Sequence, residues 1–162
     1  MKPAAAVLGA GLAFFAASAS ADDVSADLAC RFRHRVEEVQ SFDRLPPAIT
    51  ALVRARMNAG ALPAGEFMAP RGGFFNATDV IMKPGPGRRF IRAGHSGMRW
   101  FLWYEHGGIA YSRNIAVMEL AAGGQSARLV ALIGYHSENP CALTDLALDR
   151  KTPPKATASG WW

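Results

Sequence analysis

The sequence is poor in charged residues and in cysteine. Charged residues make up 19% of the 162 positions and cysteine occurs twice, whereas half of the residues are hydrophobic. A chain with this share of apolar residues can bury a packed core, which excludes disorder over most of its length. Its length excludes a (β/α)8 barrel and an ordinary two-domain enzyme, and predicts one domain.

The chain also lacks an apolar run long enough to cross a membrane, although its first 21 residues have the three parts of a secretory signal peptide. Lys2 provides a positive start, an apolar run extends over residues 4–17, and small residues lead up to Ala21. The run is about 14 residues, whereas a membrane-spanning helix needs roughly 20. We therefore predict cleavage after Ala21, a periplasmic or secreted mature chain, and no membrane span.

Cys30 and Cys141 are the two cysteines of the chain. An even pair in an exported protein usually forms a disulfide, because that compartment is oxidising. A catalytic thiol is the weaker alternative, since Arg31 and Arg33 lie near Cys30 but no base is positioned to activate it. We predict a structural disulfide that ties the first helix to the far end of the last strand.

The net charge of +5 comes mostly from the ends of the chain. Residues 22–149 contain fourteen basic and thirteen acidic side chains, so this region is nearly neutral. Of the four basic residues outside this region, Lys2 leaves with the signal peptide, and Arg150, Lys151 and Lys155 lie in residues 150–162. The Pro, Ser, Gly and Lys content of residues 150–162 predicts a disordered tail. We therefore predict a single domain over residues 22–149, and export excludes nucleic acid as a routine partner.

Apolar residues at helical spacing predict a first helix over residues 24–39. Arg33 with Glu37, and His34 with Glu38, would be pairs of opposite charge four residues apart on its outer face. A second helix is predicted over residues 47–59, because prolines suit its first turn and a glycine follows its end.

The pattern changes to β-strands after residue 76. Five strands are predicted, over residues 77–82, 88–94, 99–106, 109–122 and 125–136. Two helices packed on one face of an antiparallel meander is an α+β arrangement. A curved sheet against N-terminal helices resembles, in architecture, the cystatin-like or nuclear-transport-factor-2-like cone. This resemblance implies a fold and no function.

Glycine turns between the strands predict which residues lie opposite each other. Gly107-Gly108 would place Tyr104 opposite Tyr111, and Gly123-Gly124 would place Glu119 opposite Arg128. The same turns predict a helix-facing row of apolar residues, namely Ala93, Trp100, Ile115 and Leu132. At one end of that face they predict a polar and aromatic row, namely Arg89, Tyr104, Tyr111 and His136.

This polar and aromatic row is the predicted ligand site. A guanidinium, two phenols and an imidazole would suit an anionic or carbonyl ligand. Arg113 points to the same face and needs an acidic partner, which is either a helix carboxylate such as Glu37 or Glu38 or the acid group of a ligand. The ligand-binding candidates are therefore Arg89, Tyr104, Tyr111, Arg113 and His136.

Aromatic residues are concentrated on the other face of the predicted sheet. They are Phe90, Phe101, Trp103 and Tyr135. Either the phenylalanines of the loop over residues 60–75 cover them, or they form an exposed surface for an envelope protein or a second copy of the chain.

These features favour an exported module that binds a small ligand or an envelope protein. The histidines have no paired-ligand spacing, so we assign no metal, no cofactor and no catalytic residue. The alternative is a small periplasmic hydrolase or isomerase that uses His136 or His106 with Tyr104 or Tyr111.

Overall fold

The computed structural model describes residues 21–57, 67–79, 84–109 and 111–151. Over these residues the chain forms three helices, α1 (Ala21–Ala29), α2 (Pro47–Met57) and α3 (Pro140–Leu148), and five strands, β1 (Glu37–Val39), β2 (Arg88–Ser96), β3 (Arg99–His106), β4 (Ser112–Leu120) and β5 (Ala127–Tyr135). The strands form one antiparallel sheet in the order β1-β2-β3-β4-β5. The architecture is therefore α+β. The predicted signal peptide up to residue 20 and the tail after residue 151 lie outside the described residues.

Helices cover both faces of the sheet. On one face, the α2 face, Ile49, Val53 and Met57 of α2 pack against the sheet together with Phe42. On the other, the α1/α3 face, the sheet packs against α1, residues 30–36 and α3. The prediction of two N-terminal helices on one face is wrong, because α1 and α2 lie on opposite faces. None of the described helices has the length and apolar character that a membrane span needs.

The predicted first helix is too long, because α1 ends at Ala29. The carboxylate of Asp145 in α3 is 1% exposed and accepts hydrogen bonds from the backbone N–H groups of Arg33 (2.8 Å) and His34 (3.3 Å). In a continuous helix these N–H groups would bond to carbonyl groups one turn earlier. The tertiary bonds to Asp145 hold residues 30–36 in an irregular segment instead.

The helical pairs of opposite charge are absent for the same reason. Glu38 lies on β1, and its carboxylate accepts a 3.0 Å hydrogen bond from Nε of Arg92 on β2. Nη2 of Arg33 lies 3.4 Å from Oδ2 of Asp149, the residue that follows α3. The apolar residues whose spacing predicts a helix are nevertheless the ones that pack against the sheet. Val24, Leu28, Phe32 and Val36 all pack in the core of the α1/α3 face.

The fifth strand is β1, not residues 77–82. Residues 78–79 form a bend, residue 77 is in no regular element, and residues 80–83 lie outside the described residues. β1 pairs with one half of the outer edge of β2, and Gly94 allows the close approach, because a Cβ atom there would lie 2.5 Å from the carbonyl oxygen of Glu37. Ala69 covers the other half by exchanging 2.9 Å hydrogen bonds with Arg88 and Phe90.

The register of β3 and β4 differs from the prediction by an odd number of residues. Tyr104 lies opposite Asn114, not Tyr111, because five residues and not two separate the strands. Gly107 is a place of close approach, since a Cβ atom there would lie 1.8 Å from the carbonyl oxygen of Asn76. An odd shift moves every side chain of β4 to the other face.

The registers of β4 with β5 and of β2 with β3 differ less from the prediction. Glu119 lies opposite Arg128 as predicted, but a bulge next to Met118 then places Ile115 opposite Ile133 instead of Leu132. In the first hairpin the turn consists of Gly97 and Met98, with a positive φ at Gly97, instead of the four-residue loop expected. A bulge between Phe90 and Arg92 turns Phe90 to the α2 face, away from Phe101 and Trp103.

Helix α3 was not predicted. Its start has a recognisable signal, since the Asn139 side chain accepts the backbone N–H of Ala142 at 3.1 Å and a proline follows the cap. Cys141 lies in its first turn and forms the predicted disulfide with Cys30, with a Cα–Cα distance of 5.9 Å. The disulfide thus joins the residue after α1 to α3, and it is the bond expected of an oxidising compartment.

Candidate functional site

A row of polar side chains crosses four strands at one end of the α1/α3 face. Arg89, Glu105, Arg113 and Tyr135 lie opposite one another on successive strands, and we call them the polar row. Glu105 is 1% exposed. Its carboxylate accepts hydrogen bonds from Nε and Nη2 of Arg89 and from the hydroxyl of Tyr111. The bonds from Nη2 and from the hydroxyl are each 2.8 Å long. A buried carboxylate with three donors is well satisfied.

Arg113 finds its acidic partner on α1. Its Nη1 donates to Oδ2 of Asp27 at 2.9 Å, and the hydroxyl of Tyr135 donates to the same oxygen at 2.8 Å. The carbonyl oxygen of His136 accepts a hydrogen bond from Nη2 of Arg113. The partner is thus a helix carboxylate, but it is neither Glu37 nor Glu38. Arg113 is therefore part of the structural connection between α1 and the sheet.

The tyrosines of this region remain protonated donors. Burial, and then the Asp27 carboxylate, raise the pKa of Tyr135 well above its ordinary value. Burial, and then the hydrogen bond to Glu105, do the same to the pKa of Tyr111. At neutral pH both hydroxyls are therefore protonated and donate to carboxylates.

The structure separates the five ligand-binding candidates. It brings Arg89 and Tyr111 together on Glu105, and places Arg113 on the strand opposite that carboxylate. Tyr104 lies on the α2 face and is fully buried, while the side chain of His136 is exposed. Glu105 is a member of the site that the sequence does not predict, because its position beside the predicted hairpin turn suggests a solvated residue, whereas it is buried.

The four aromatic residues proposed as an interaction surface are buried. Phe101, Trp103 and Tyr135 lie beneath α1, residues 30–36 and α3, and the indole nitrogen of Trp103 donates to Oγ1 of Thr144 at 2.9 Å. Phe90 is buried on the α2 face. The predicted cover by the 60–75 loop applies to Phe90, because Phe67 packs against the cluster that contains it, but not to Phe101, Trp103 and Tyr135, which pack on the other face. All four side chains are buried. They offer no surface to an envelope protein or to a second copy of the chain.

A second cluster lies on the α2 face, at the same end of the sheet. Arg88 is 5% exposed and its Nη2 donates to the carbonyl oxygen of Met57, at the end of α2, at 3.2 Å. Its Nε, and the hydroxyl of the fully buried Tyr104, have no hydrogen-bond partner among the described residues. We call Arg88 and Tyr104 the donor pair. They are close enough that each affects the pKa of the other.

No known protein family, curated protein or solved structure matches the chain. The site is therefore interpreted from its own geometry. In the part of the chain that the structure describes, no three His, Cys, Asp or Glu residues are grouped so that they could hold a metal ion.

A cleft with a volume of about 350 Å³ opens beside α2. Its walls are formed by Phe42, Phe67, Met68, Phe90 and Arg54, and Asp43 lies on its rim. The guanidinium carbon of Arg54 lies 4.7 Å from the ring centroid of Phe67 and 5.5 Å from that of Phe42. Within the described ranges Arg54 forms no ion pair. We call this feature the Arg54 cleft.

His106, opposite Arg88, is expected to make the protein less stable as the pH falls. Burial, and then the charge of Arg88, lower the pKa of His106 below its ordinary value of 6.5. The unfolded chain then binds this proton more readily than the folded one, so the contribution to stability is present above the unfolded pKa and is lost as the pH falls through the folded pKa.

Urea titrations at about pH 7.5 and about pH 5.5 would measure this effect. The free energy of unfolding of the His106→Gln variant should fall less on acidification than that of the wild type. His136→Gln, at an exposed position, is the control and should behave as the wild type does. An equal loss in His106→Gln and the wild type would contradict the prediction.

Proposed function

We propose that the protein is an exported binding module that takes a small ligand with an aromatic or apolar body and an anionic group in the Arg54 cleft. Export is inferred from the signal-peptide pattern of the first 21 residues and is consistent with the Cys30–Cys141 disulfide. The mature protein would then be periplasmic or secreted, cut after Ala21.

The observation that carries the proposal is the position of the Arg54 guanidinium over two phenylalanine rings, with no carboxylate paired to it in the described ranges. Stacking on Phe42 and Phe67 holds the planar cation in one orientation while its N–H groups stay available to an anion. The rings and the neighbouring Met68 supply apolar surface for the rest of the ligand. A volume of about 350 Å³ is at the lower end of the range for ligand pockets.

Benzoate is a suitable probe, with benzamide as its neutral counterpart of the same shape. We expect benzoate to shift backbone amide resonances around the Arg54 cleft in NMR titrations, and benzamide to bind at least about tenfold more weakly. Arg54→Met should raise the Kd for benzoate at least about tenfold. Arg56→Met, which removes an exposed arginine that does not line the cleft, should leave it unchanged.

A substitution at Asp43 should change the affinity for benzoate in the opposite direction. Its carboxylate lies on the rim of the same cleft and repels an anion, so Asp43→Asn should tighten benzoate binding while Arg54→Met weakens it. Equal binding of benzoate and benzamide, or an Arg54→Met variant that binds benzoate as well as the wild type does, would contradict the proposal.

The enzymatic alternative has one observation in its favour. Tyr104 and His106 are two residues apart on β3, so both face α2, and Arg88 lies opposite His106. A neutral imidazole beside a phenol and a guanidinium would suit a small hydrolase or isomerase. His136 and Tyr111 have no comparable support. The cystatin-like or nuclear-transport-factor-2-like cone stays a proposal about the fold, on which the proposed function does not depend.

A further inference from the structure

We propose that the donor pair, Arg88 and Tyr104, forms an internal site that holds a small monovalent anion, a halide or a carboxylate. The anion would accept Nε–H of Arg88 and the hydroxyl hydrogen of Tyr104. This site is separate from the Arg54 cleft, whose lining includes neither residue. The two proposals can therefore fail independently.

The first argument is the unsatisfied donors themselves. Nε of Arg88 and the hydroxyl oxygen of Tyr104 are the two buried side-chain atoms without a hydrogen-bond partner in the described ranges. Buried polar groups in folded proteins are almost always paired with protein, water or a bound group. Arg88 and Tyr104 are diagonal neighbours on β2 and β3, so two orphaned atoms on this part of the α2 face indicate a missing partner. Nε–H can only donate and the phenol can donate, so the missing partner is an acceptor.

The second argument is the charge of Arg88. The carbonyl oxygen of Met57, at the negative end of the α2 dipole, is its hydrogen-bond partner, and in the described ranges no carboxylate pairs with it. Two other buried arginines of the sheet have carboxylate partners, since Arg113 pairs with Asp27 and Arg92 with Glu38. Arg99 resembles Arg88 in that it donates to carbonyl oxygens at the end of a helix, those of Ala147 and Leu148 in α3. A water molecule at the donor pair would leave the Arg88 charge uncompensated, whereas an anion would neutralise it.

The surroundings limit the size of the anion. Tyr104 is fully buried in the core formed by α2 and the sheet, together with Val53, Met57 and Phe90. His106, opposite Arg88 on β3, has a pKa that burial and the Arg88 charge lower, so at neutral pH its imidazole adds no second cation. One positive charge in an apolar surrounding matches a monovalent ion such as chloride, bromide or formate.

The experiment uses the full mature chain, with its disulfide, crystallised in sodium bromide. We expect an anomalous bromide peak between Nε of Arg88 and the hydroxyl of Tyr104. Adding sodium formate to the bromide crystals at equal concentration distinguishes the two sources, since loss of the bromide peak identifies a carboxylate as the tighter ligand and its retention identifies a halide. A water molecule at this position in bromide crystals, or an unoccupied space, would overturn the proposal.

A measurement in solution accompanies the crystals. The Tm of the wild type should rise with bromide concentration by more than that of Tyr104→Phe, which keeps the ring in the core and removes only the hydroxyl. We expect the apparent Kd for bromide to rise at least tenfold in Tyr104→Phe. General salt effects act on both proteins and cancel in the comparison.

Tyr111→Phe is the matched control, because its hydroxyl lies on the opposite face against Glu105. It should keep the bromide dependence of the wild type. Equal bromide dependence in Tyr104→Phe and the wild type would contradict the proposal. Benzoate binding to Tyr104→Phe should remain as in the wild type, so the result says nothing against the Arg54 cleft.

Discussion

Replacing Asp27 with alanine is expected to lower the free energy of unfolding by about 3–5 kcal/mol. Asp27 is 6% exposed and its Oδ2 accepts both Arg113 Nη1 and the Tyr135 hydroxyl. The truncation would leave the cation of Arg113, which is 4% exposed, and a buried phenol without this partner. Removing one member of a buried charged cluster costs more than the pair itself contributes, because the remaining charge stays desolvated.

Urea denaturation of wild type and Asp27→Ala would measure this effect. Glu119→Ala is the matched control, because it removes a carboxylate from a cross-strand pair with the largely exposed Arg128 and should cost less than about 1 kcal/mol. Adding Arg113→Met to Asp27→Ala should recover part of the loss, since the buried cation that had bound Asp27 is then gone. A loss in Asp27→Ala as small as in the control would show that the Arg113 charge reaches solvent.

Loss of the disulfide is the second large effect. Replacing Cys30 and Cys141 together by alanine is expected to lower the free energy of unfolding by about 2–5 kcal/mol. The bond closes a loop between residues separated by 111 positions, and in the chain-entropy model a loop of this length contributes about 4–5 kcal/mol. It also fixes the segment after α1 against α3, where Asp145 binds residues 33 and 34.

Thermal denaturation with and without dithiothreitol would test the disulfide. The Tm of the wild type should fall in the reductant, whereas the Tm of the double alanine variant should not respond to it. The exported protein should not react with a thiol reagent until it is reduced. Reaction of both thiols in the untreated protein would refute the prediction.

The prediction of local elements succeeded where local patterns decide the structure. Strand β3 has the bounds predicted for it, residues 99–106, and α2 starts at the predicted Pro47. Both contain their own signal, a β-rich run between turns in one case and a proline start with an apolar stripe in the other. The opposition of Glu119 and Arg128 was also predictable, because the two-glycine turn and the charge complementarity agree.

The candidate site was predicted less well, because its residues depend on loop conformation. The row of Arg89, Tyr104, Tyr111 and His136 required a two-residue turn at Gly107-Gly108, but the chain around Asn76 packs on Gly107 and a longer loop results. Glu105 instead of Tyr104 lies opposite Arg89 because the first turn is shorter than expected and a bulge separates Phe90 from Arg92. No local pattern records which distant segment will lie on a loop.

The sequence by itself, with few charges and two cysteines, determined the α+β class, the antiparallel strands β2–β5, helix α2 and the pairing of Cys30 with Cys141. The strands and the helix depend on residue patterns within one segment, and the disulfide depends on the chain having two cysteines. Only the tertiary structure decided that α1 stops at Ala29, that the sheet is covered on both faces, and that Nε of Arg88 and the hydroxyl of Tyr104 are buried without a hydrogen-bond partner among the described residues. Those outcomes depend on contacts such as Asp145 with residues 33 and 34, which are distant in sequence, so their energies are absent from any local pattern.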